Sequence, residues 1–441
     1  MTIIHNRLLA NHIRSTYSPE NVAALWRFLE EQGTLACKAL PNGLFPAAAL
    51  GAEQAFTGYS YVWVRDNVFV AYSHYRNGHP DTAARVARTL MAYFMKHQSR
   101  FTNIIQGKTD PANPMERPHV RFDGGGLEEV PEKWAHAQND ALGYFVWLFC
   151  KLADNNLLVP TAEELRMLAL FAQYFRAITY WQDEDSGHWE EVRKVSASSI
   201  GVVVAGLKEL ARLLPNPELR RQLSRAGTTE EVIAELINHG DAALQRILPA
   251  ECIQPDPAKA RRYDAALLFL VYPLQVVGPP MSETIVQEVT GRLQGDIGIR
   301  RYPRDSYWAP DYKSKLGPSQ RTMDFSDNLS ARDKLLPAEG LGAQWCIFDA
   351  IISCQYGNRF QNTGAPEDLR KQTEYANRAL GQITSSEQNL VPPCQCPELY
   401  YLQNNQYVPN DHVPLLWAQA NLLLALRMLR ITSKPAGATA H

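Results

Sequence analysis

The stretch Ala141-Leu-Gly-Tyr-Phe-Val-Trp-Leu-Phe149 contains no charged residue. A helix through it is apolar on every face, and such a helix is buried on every face. Five other stretches have the same character: Val68-Phe-Val-Ala-Tyr72, Ile200-Gly-Val-Val-Val-Ala-Gly-Leu207, Ala265-Ala-Leu-Leu-Phe-Leu-Val271, Trp345-Cys-Ile-Phe348 and Leu415-Leu-Trp-Ala418. The segments between them, such as Ala162-Glu-Glu-Leu-Arg-Met-Leu-Ala-Leu-Phe171 and Glu367-Asp-Leu-Arg-Lys-Gln-Thr-Glu-Tyr375, carry one charged face and must touch water. Periodicity predicts about twelve helices, beginning near Asn21, Val68, Asp81, Gln138, Ala162, Ser196, Thr229, Arg262, Ser282, Gly340, Glu367 and His412. Several starts carry capping chemistry, for example Thr229-Glu-Glu-Val232 and Ser282-Glu-Thr-Ile285.

Buried helices alternating with half-exposed ones describe a double ring. The expectation is an all-α (α/α)6 barrel that buries one large core in a single domain over residues 1–432, followed by a disordered tail from Ser433 to His441. A solenoid of helical hairpins would show a fixed sequence period, and none is found. No Pro/Gly/Ser-rich linker divides the chain.

Composition narrows the function. The chain has 441 residues, 45% hydrophobic and 20% charged, with a formal net charge of −2. A nucleic-acid or anionic-membrane surface would show a basic excess, so neither partner is expected. Neither a secretion signal nor an apolar run of roughly 20 residues is present, so a cytoplasmic location is expected, with no membrane association. The seven cysteines then read as reduced thiols. Cys394-Gln-Cys396 lacks a second Cys or His pair at ligand spacing, so no metal and no cofactor are expected.

In such a barrel the connectors that run from an outer to an inner helix all emerge at one end, and the unusual residues fall in them. Tyr61-Val-Trp63-Val-Arg65-Asp66 precedes the second helix, Trp134-Ala-His136-Ala-Gln138-Asn-Asp140 the fourth, and Trp189-Glu190-Glu191 the sixth. Arg301-Tyr302-Pro-Arg-Asp305 lies before the tenth, and Pro397-Glu398 before the twelfth. Aromatic faces accept the C–H side of a pyranose while a few polar groups fix its orientation, so this mouth suits a sugar. Two carboxyl groups on opposite sides of a glycosidic bond are what its hydrolysis requires. Plainer readings exist for each residue. Glu190 and Glu191 could open a helix, with Arg193 pairing Glu191. Pro397-Glu398 could be a turn, Arg65-Asp66 a structural ion pair, Trp134 core, and His136 and His188 structural histidines.

The motifs resemble family 15 of the glycoside hydrolases, the glucoamylases, and within that superfamily the glucoamylase-like domain of phosphorylase kinase α and β subunits. The matching residues are Tyr61-Val-Trp-Val-Arg-Asp-Asn67, Trp134-Ala-His-Ala-Gln-Asn-Asp-Ala141, Gly187-His-Trp-Glu-Glu191 with Ala197-Ser-Ser-Ile-Gly201, Arg301-Tyr-Pro-Arg-Asp305, and Pro397-Glu-Leu-Tyr-Tyr401 with Val413-Pro-Leu-Leu-Trp-Ala-Gln419. The resemblance implies that Glu190 is the general acid and Glu398 the general base of an inverting, exo-acting hydrolase that releases β-glucose from α-linked gluco-oligosaccharides. It also implies sugar contacts at Arg65, Asp66 and Arg301, a subsite around the scissile bond shaped by Trp134, Gln138 and Asp140, and a contact to the next sugar at Glu191. Tyr61, Trp63 and Trp189 complete the expected lining. Inversion predicts carboxyls roughly 6.5–9.5 Å apart. Burial beside Trp189 and the like charge of Glu191 are expected to keep Glu190 protonated near neutrality. His136 and the Pro-Glu-Leu-Tyr motif depart from the secreted glucoamylase pattern. The connector Lys313 to Glu339 aligns with nothing and leaves linkage preference open. A glucan-sensing regulatory module of the kinase-subunit type is the alternative to turnover.

Overall fold

The computed structural model describes residues 3–48, 58–317, 320–321, 334–336, 339–388 and 390–434. Most of the 313–339 connector and nearly all of the expected tail lie outside the described residues. Among the described residues, the ring is built from helices α1 (Pro19–Glu31), α2 (Val64–Arg76), α3 (Pro80–Lys96), α4 (Asn139–Asp154), α5 (Ala162–Ala177), α6 (Ala197–Ala211), α7 (Glu230–Ile247), α8 (Leu268–Val271), α9 (Met281–Leu293), α10 (Phe348–Thr363), α11 (Pro366–Gly381) and α12 (Leu416–Thr432). The even-numbered helices are the inner ones. Helix α6 is buried from Ala197 to Leu207 without a break, whereas α1 buries only Val22, Leu25 and Leu29. The result is the (α/α)6 barrel.

Local chemistry sets the ends. Thr161 and Glu164 form a reciprocal capping box at the start of α5, at 3.2 and 2.7 Å, and Ser18 does the same with Asn21 for α1. Helix α8 is the departure: expected from Arg262, it is a single 3₁₀ turn (Ala265–Leu267) capped by Asp264, then one short α-turn. Pro273 ends it, because proline lacks an N–H and disfavours helical backbone at the residue before it; Tyr272 is extended.

The all-α expectation also needs one addition. Two small antiparallel sheets sit in the connectors that lead into inner helices. One contains β1 (Val62–Trp63), β2 (Arg121–Asp123) and β3 (Glu128–Glu129); the other contains β4 (Gln344–Trp345), β5 (Leu399–Gln403) and β6 (Gln406–Pro409). Pairing of β4 with β5 is why α10 begins at Phe348 and not near Gly340. Asn404 and Asn405, both at positive φ, make the two-residue turn of the β5–β6 hairpin.

Neighbouring inner helices approach closely. A Cβ on Gly143 of α4 would lie 2.8 Å from the backbone nitrogen of Val203 in α6, and one on Gly206 would lie 2.7 Å from the carbonyl oxygen of Gly143. Gly291 in α9 has nothing within 4 Å of the same position. Gly143→Ala is therefore expected to lower stability by about 1–3 kcal/mol. Gly291→Ala is expected to leave it unchanged or raise it by about 0.5–1 kcal/mol. Urea unfolding midpoints of the two variants test the contrast.

Candidate active site

The first residues of α2 and α4 are joined across the mouth. Arg65 donates from Nε to Asp140 Oδ2 at 2.7 Å, and from Nη2 to Gln138 Oε1 at 2.7 Å and to the carbonyl of Gly187 at 3.3 Å. All of these groups are buried. Arg65 is thus an ion-pair partner of Asp140 and not of its neighbour Asp66. Burial alone would raise the Asp140 carboxyl, but Arg65, His188 and the Ala141 N–H together hold it below the usual range.

The Gly187 carbonyl belongs to a 3₁₀ turn, Gly187–Trp189, which ends at Glu190 in the left-handed conformation (φ 57°, ψ 43°). That conformation is uncommon for a residue with a Cβ and costs on the order of 1–3 kcal/mol. Glu190 Oε1 accepts from the Trp63 indole at 2.9 Å and from Gln138 Nε2 at 3.2 Å. Among the described residues none donates to Oε2. Burial, opposed by Arg65, by the Trp63 and Gln138 donors and by Arg121, leaves the carboxyl raised above the usual range. The expected contribution from Glu191 is not found. The Glu191 carboxylate is buried and taken by Arg301 at 3.2 Å, Arg261 at 3.3 Å and the Tyr302 hydroxyl. Arg193 turns instead to backbone carbonyls of Glu184 and Ala112.

Glu398, next to β5, is held differently. Tyr59 donates to Oε1 at 2.7 Å, while Asn410 Nδ2 at 2.5 Å and His412 Nδ1 at 2.8 Å meet Oε2. The Tyr59 ring stacks on His412 with centroids 3.7 Å apart and lies 5.6 Å from the Trp63 ring, so one aromatic step separates the partners of the two glutamates. Asp66 feels both carboxylates; burial and these like charges, against Arg65, push it up to about 7.

The remaining lining is aromatic. Trp189 donates to Asp264 at 2.9 Å, and its ring lies 5.8 Å from Trp345 and 6.5 Å from Trp417. The Arg301 guanidinium, held bidentately by Asp305 at 2.7 Å, sits 5.2 Å from the Trp189 ring and 5.0 Å from Tyr307. Trp134 meets the edge of Trp63 at 6.2 Å, and Arg121 lies 3.8 Å over Trp134 and 5.2 Å over Tyr61. His136 stacks on His119 at 3.7 Å. His188 hydrogen-bonds Tyr144 at 3.1 Å and is held down to about 3 by burial, so it is a structural histidine.

Residues Tyr61, Trp63, Arg65, Trp134, Gln138, Asp140, Trp189, Glu190, Glu191, Arg301 and Glu398 are therefore joined in one connected set of contacts, and Asp66 stands within the fields of Glu190 and Glu398. Glu191 stands behind Arg301. Sequence reasoning missed Tyr59, Arg121, Tyr307, Asn410 and His412. Tyr59 was within reach, since Tyr59, Tyr61 and Trp63 alternate as residues of an extended segment do. Asn410 and His412 come into place only through the β5–β6 hairpin, where the Asn410 N–H donates to the Leu399 carbonyl at 3.1 Å.

Among the described residues no group of His, Cys, Asp and Glu side chains could hold a metal ion, and no helix is long and apolar enough to cross a membrane. The barrel and its mouth define a six-hairpin glycosidase fold. The chain belongs to the glycosyl hydrolases family 15, whose description matches residues 30–366. It is 27% identical over 416 residues to a probable phosphorylase b kinase regulatory subunit alpha of Caenorhabditis elegans, covering 85% of this chain and 31% of that protein. The chain thus spans about a third of the length of that relative. Among solved structures it resembles a glycosidase variant crystallised with glucose (TM-score 0.61, 17% identity, 93% of this chain and 98% of that one). It also resembles the glucoamylase of Saccharomycopsis fibuligera (TM-score 0.58, 11% identity, 95% and 99%).

Asp185 supports the site from behind: its Oδ2 accepts the Asn139 N–H at the start of α4 at 2.9 Å. Burial, with Asp140 and Asp183 nearby, pushes its carboxyl from an ordinary 3.8 up to about 7. A raised carboxyl favours the folded state while protonated, so this stabilisation is complete below about pH 4 and is lost as pH rises to about 7. Asp185→Asn keeps an acceptor for Asn139 and removes the titration. Its unfolding midpoint should fall less between about pH 5 and pH 8 than that of the native protein, as followed by urea denaturation.

Proposed function

We propose that the protein is an inverting, exo-acting α-glucoside hydrolase that releases β-glucose from α-linked gluco-oligosaccharides. Glu190 is the general acid and Glu398 the general base. The observation that carries this reading is the contrast between the two carboxyls. Glu190 is raised by burial and among the described residues keeps one oxygen without a donor, which suits a group that protonates a leaving oxygen. Glu398 is oriented by donors on both oxygens, which suits a group that accepts a proton from water. The glucose complex of the glycosidase with the same fold supports the substrate class.

In this reading Asp66 and Arg301 contact the terminal sugar, and Trp189, Trp63, Tyr61 and Trp134 supply the aromatic walls. Arg65, Gln138 and Asp140 hold the acid's turn, and Glu191 fixes Arg301. A cytoplasmic location goes with the same reading. The second reading, a glucan-binding regulatory module, is supported by the regulatory subunit found at 27% identity.

Glu190→Gln and Glu398→Gln are each expected to lower kcat by about 10²–10⁴-fold on α-linked disaccharides. Proton NMR of the first-formed anomer is expected to show β-glucose. Initial α-glucose would overturn inversion. A panel of disaccharides gives the linkage, and binding of maltose with no release from any of them would favour the regulatory module. As Glu190 loses its proton on the alkaline side, kcat/KM should fall with rising pH.

A further inference from the structure

Strand pairing sets Arg121 of β2 directly opposite Trp63 of β1. Trp63 is the residue whose indole N–H holds Glu190. The Arg121 guanidinium is buried, lies 3.8 Å over the Trp134 ring and 5.6 Å from Trp63, and is boxed on a further side by Tyr61. Its salt-bridge partner is Glu132 at 2.9 Å, whose side chain is 65% exposed. An exposed carboxylate is screened by water and compensates a buried cation weakly. The other cation facing Glu190 is Arg65, which has Asp140 at 2.7 Å in full burial. Asp66 beside it is the facing acid, and Trp63 and Gln138 are the neutral donors. Arg121 is thus the less compensated of the two cations around the acid.

We infer that Arg121 is a positioning residue for Glu190: its caged charge sets the pH at which Glu190 gives up its proton. This rests on Glu190 being the proton donor. A partly buried carboxyl held by the Trp63 indole with no cation at hand would hold its proton too tightly to deliver it and to regain it in turn. A guanidinium fixed by ring stacking supplies the opposing charge without donating to the carboxyl. One oxygen of Glu190 therefore stays free for the substrate. The burial-driven rise at Glu190 is opposed by Arg121 as well as by Arg65, in agreement with the geometry.

The test uses the full chain labelled with ¹³C at glutamate carboxyls. The Glu190 resonance is assigned by its loss in Glu190→Gln. In Arg121→Met, which keeps an apolar stem on Trp134, the Glu190 midpoint should rise by about one pH unit. In Arg121→Lys it should stay close to native. An unchanged midpoint in an Arg121→Met protein with a native unfolding midpoint would overturn the inference. Should Arg121→Met fail to fold, the surface variant Glu132→Gln decides: leaving Arg121 less compensated should move the Glu190 midpoint down, and no movement or a rise would overturn the inference. The alkaline limb of kcat/KM on maltose should follow the carboxyl midpoint. If the midpoint moves and the limb does not, the assignment of Glu190 as acid fails while the effect of Arg121 stands.

Discussion

The mouth of this barrel depends on one buried ion pair. Arg65 and Asp140 stand in the first turns of neighbouring inner helices, and the same guanidinium reaches Gln138 and the Gly187 carbonyl. Three connectors are tied at one point. Trp63 lies just before Arg65, Gln138 just before Asp140, and Glu190 just after Gly187, so every group that touches the Glu190 carboxyl is positioned from this pair. Two charges this deep are costly to desolvate, and removing one partner of such a pair costs about 3–5 kcal/mol because the other is left uncompensated. The remaining donors and acceptors around it make the arrangement tolerable. The pair ties down the short turn on which Glu190 sits in left-handed conformation.

Behind the first ring of contacts lies a second charged layer with the same logic. Arg301 is held by Asp305 and Glu191, and Arg261 by Asp264 and Glu191. Trp189 is fixed by Asp264. The floor of the mouth is thus an aromatic layer fixed by an ionic one, with Arg301 at the boundary between the two.

The ring of helices was legible in the sequence because burial on all sides leaves an unmistakable record: α6 is buried and uncharged from Ala197 to Leu207. The alternation of such helices with amphipathic ones was enough to place most starts within a few residues. Helix α8 was misread because its apolar run, residues 265–271, gives no sign that its first turn is a 3₁₀ turn capped by Asp264. The connector into α10 was misread because two residues of strand, Gln344 and Trp345, are too few to show a period. At the site, the acids and aromatic walls were legible as odd residues in equivalent connectors. The partners of Glu398 were not, since Asn410 and His412 owe their place to a hairpin whose signal, Asn404-Asn405 between strand-like residues, was overlooked within an all-α expectation. Glu191 looked like a twin of Glu190. Only the third dimension separates them: across the left-handed residue Glu190 the two carboxyls take different partners, Trp63 and Gln138 for Glu190, Arg301 and Arg261 for Glu191.

The successive residues Arg65 and Asp66 also part, here because consecutive positions on a helix do not face each other, and this matters for the proton inventory of the mouth. Arg65 turns to Asp140, which leaves Asp66 without its neighbour's charge in direct contact. Asp66 then stands within the fields of Glu190 and Glu398 and is pushed up to about 7. Three carboxyls around one buried space repel each other most when all are ionised. The cheapest relief is to keep protons on those with the fewest donors. Glu398 has donors on both oxygens, Glu190 on one, and Asp66 relies on burial beside Arg65. Asp66 and Glu190, the two with the fewest donors, are both raised by burial above the usual carboxylate range. Asp66 stands in the first turn of α2 and Glu190 in the connector into α6, so both raised carboxyls come from the segments tied together by Arg65 and Asp140.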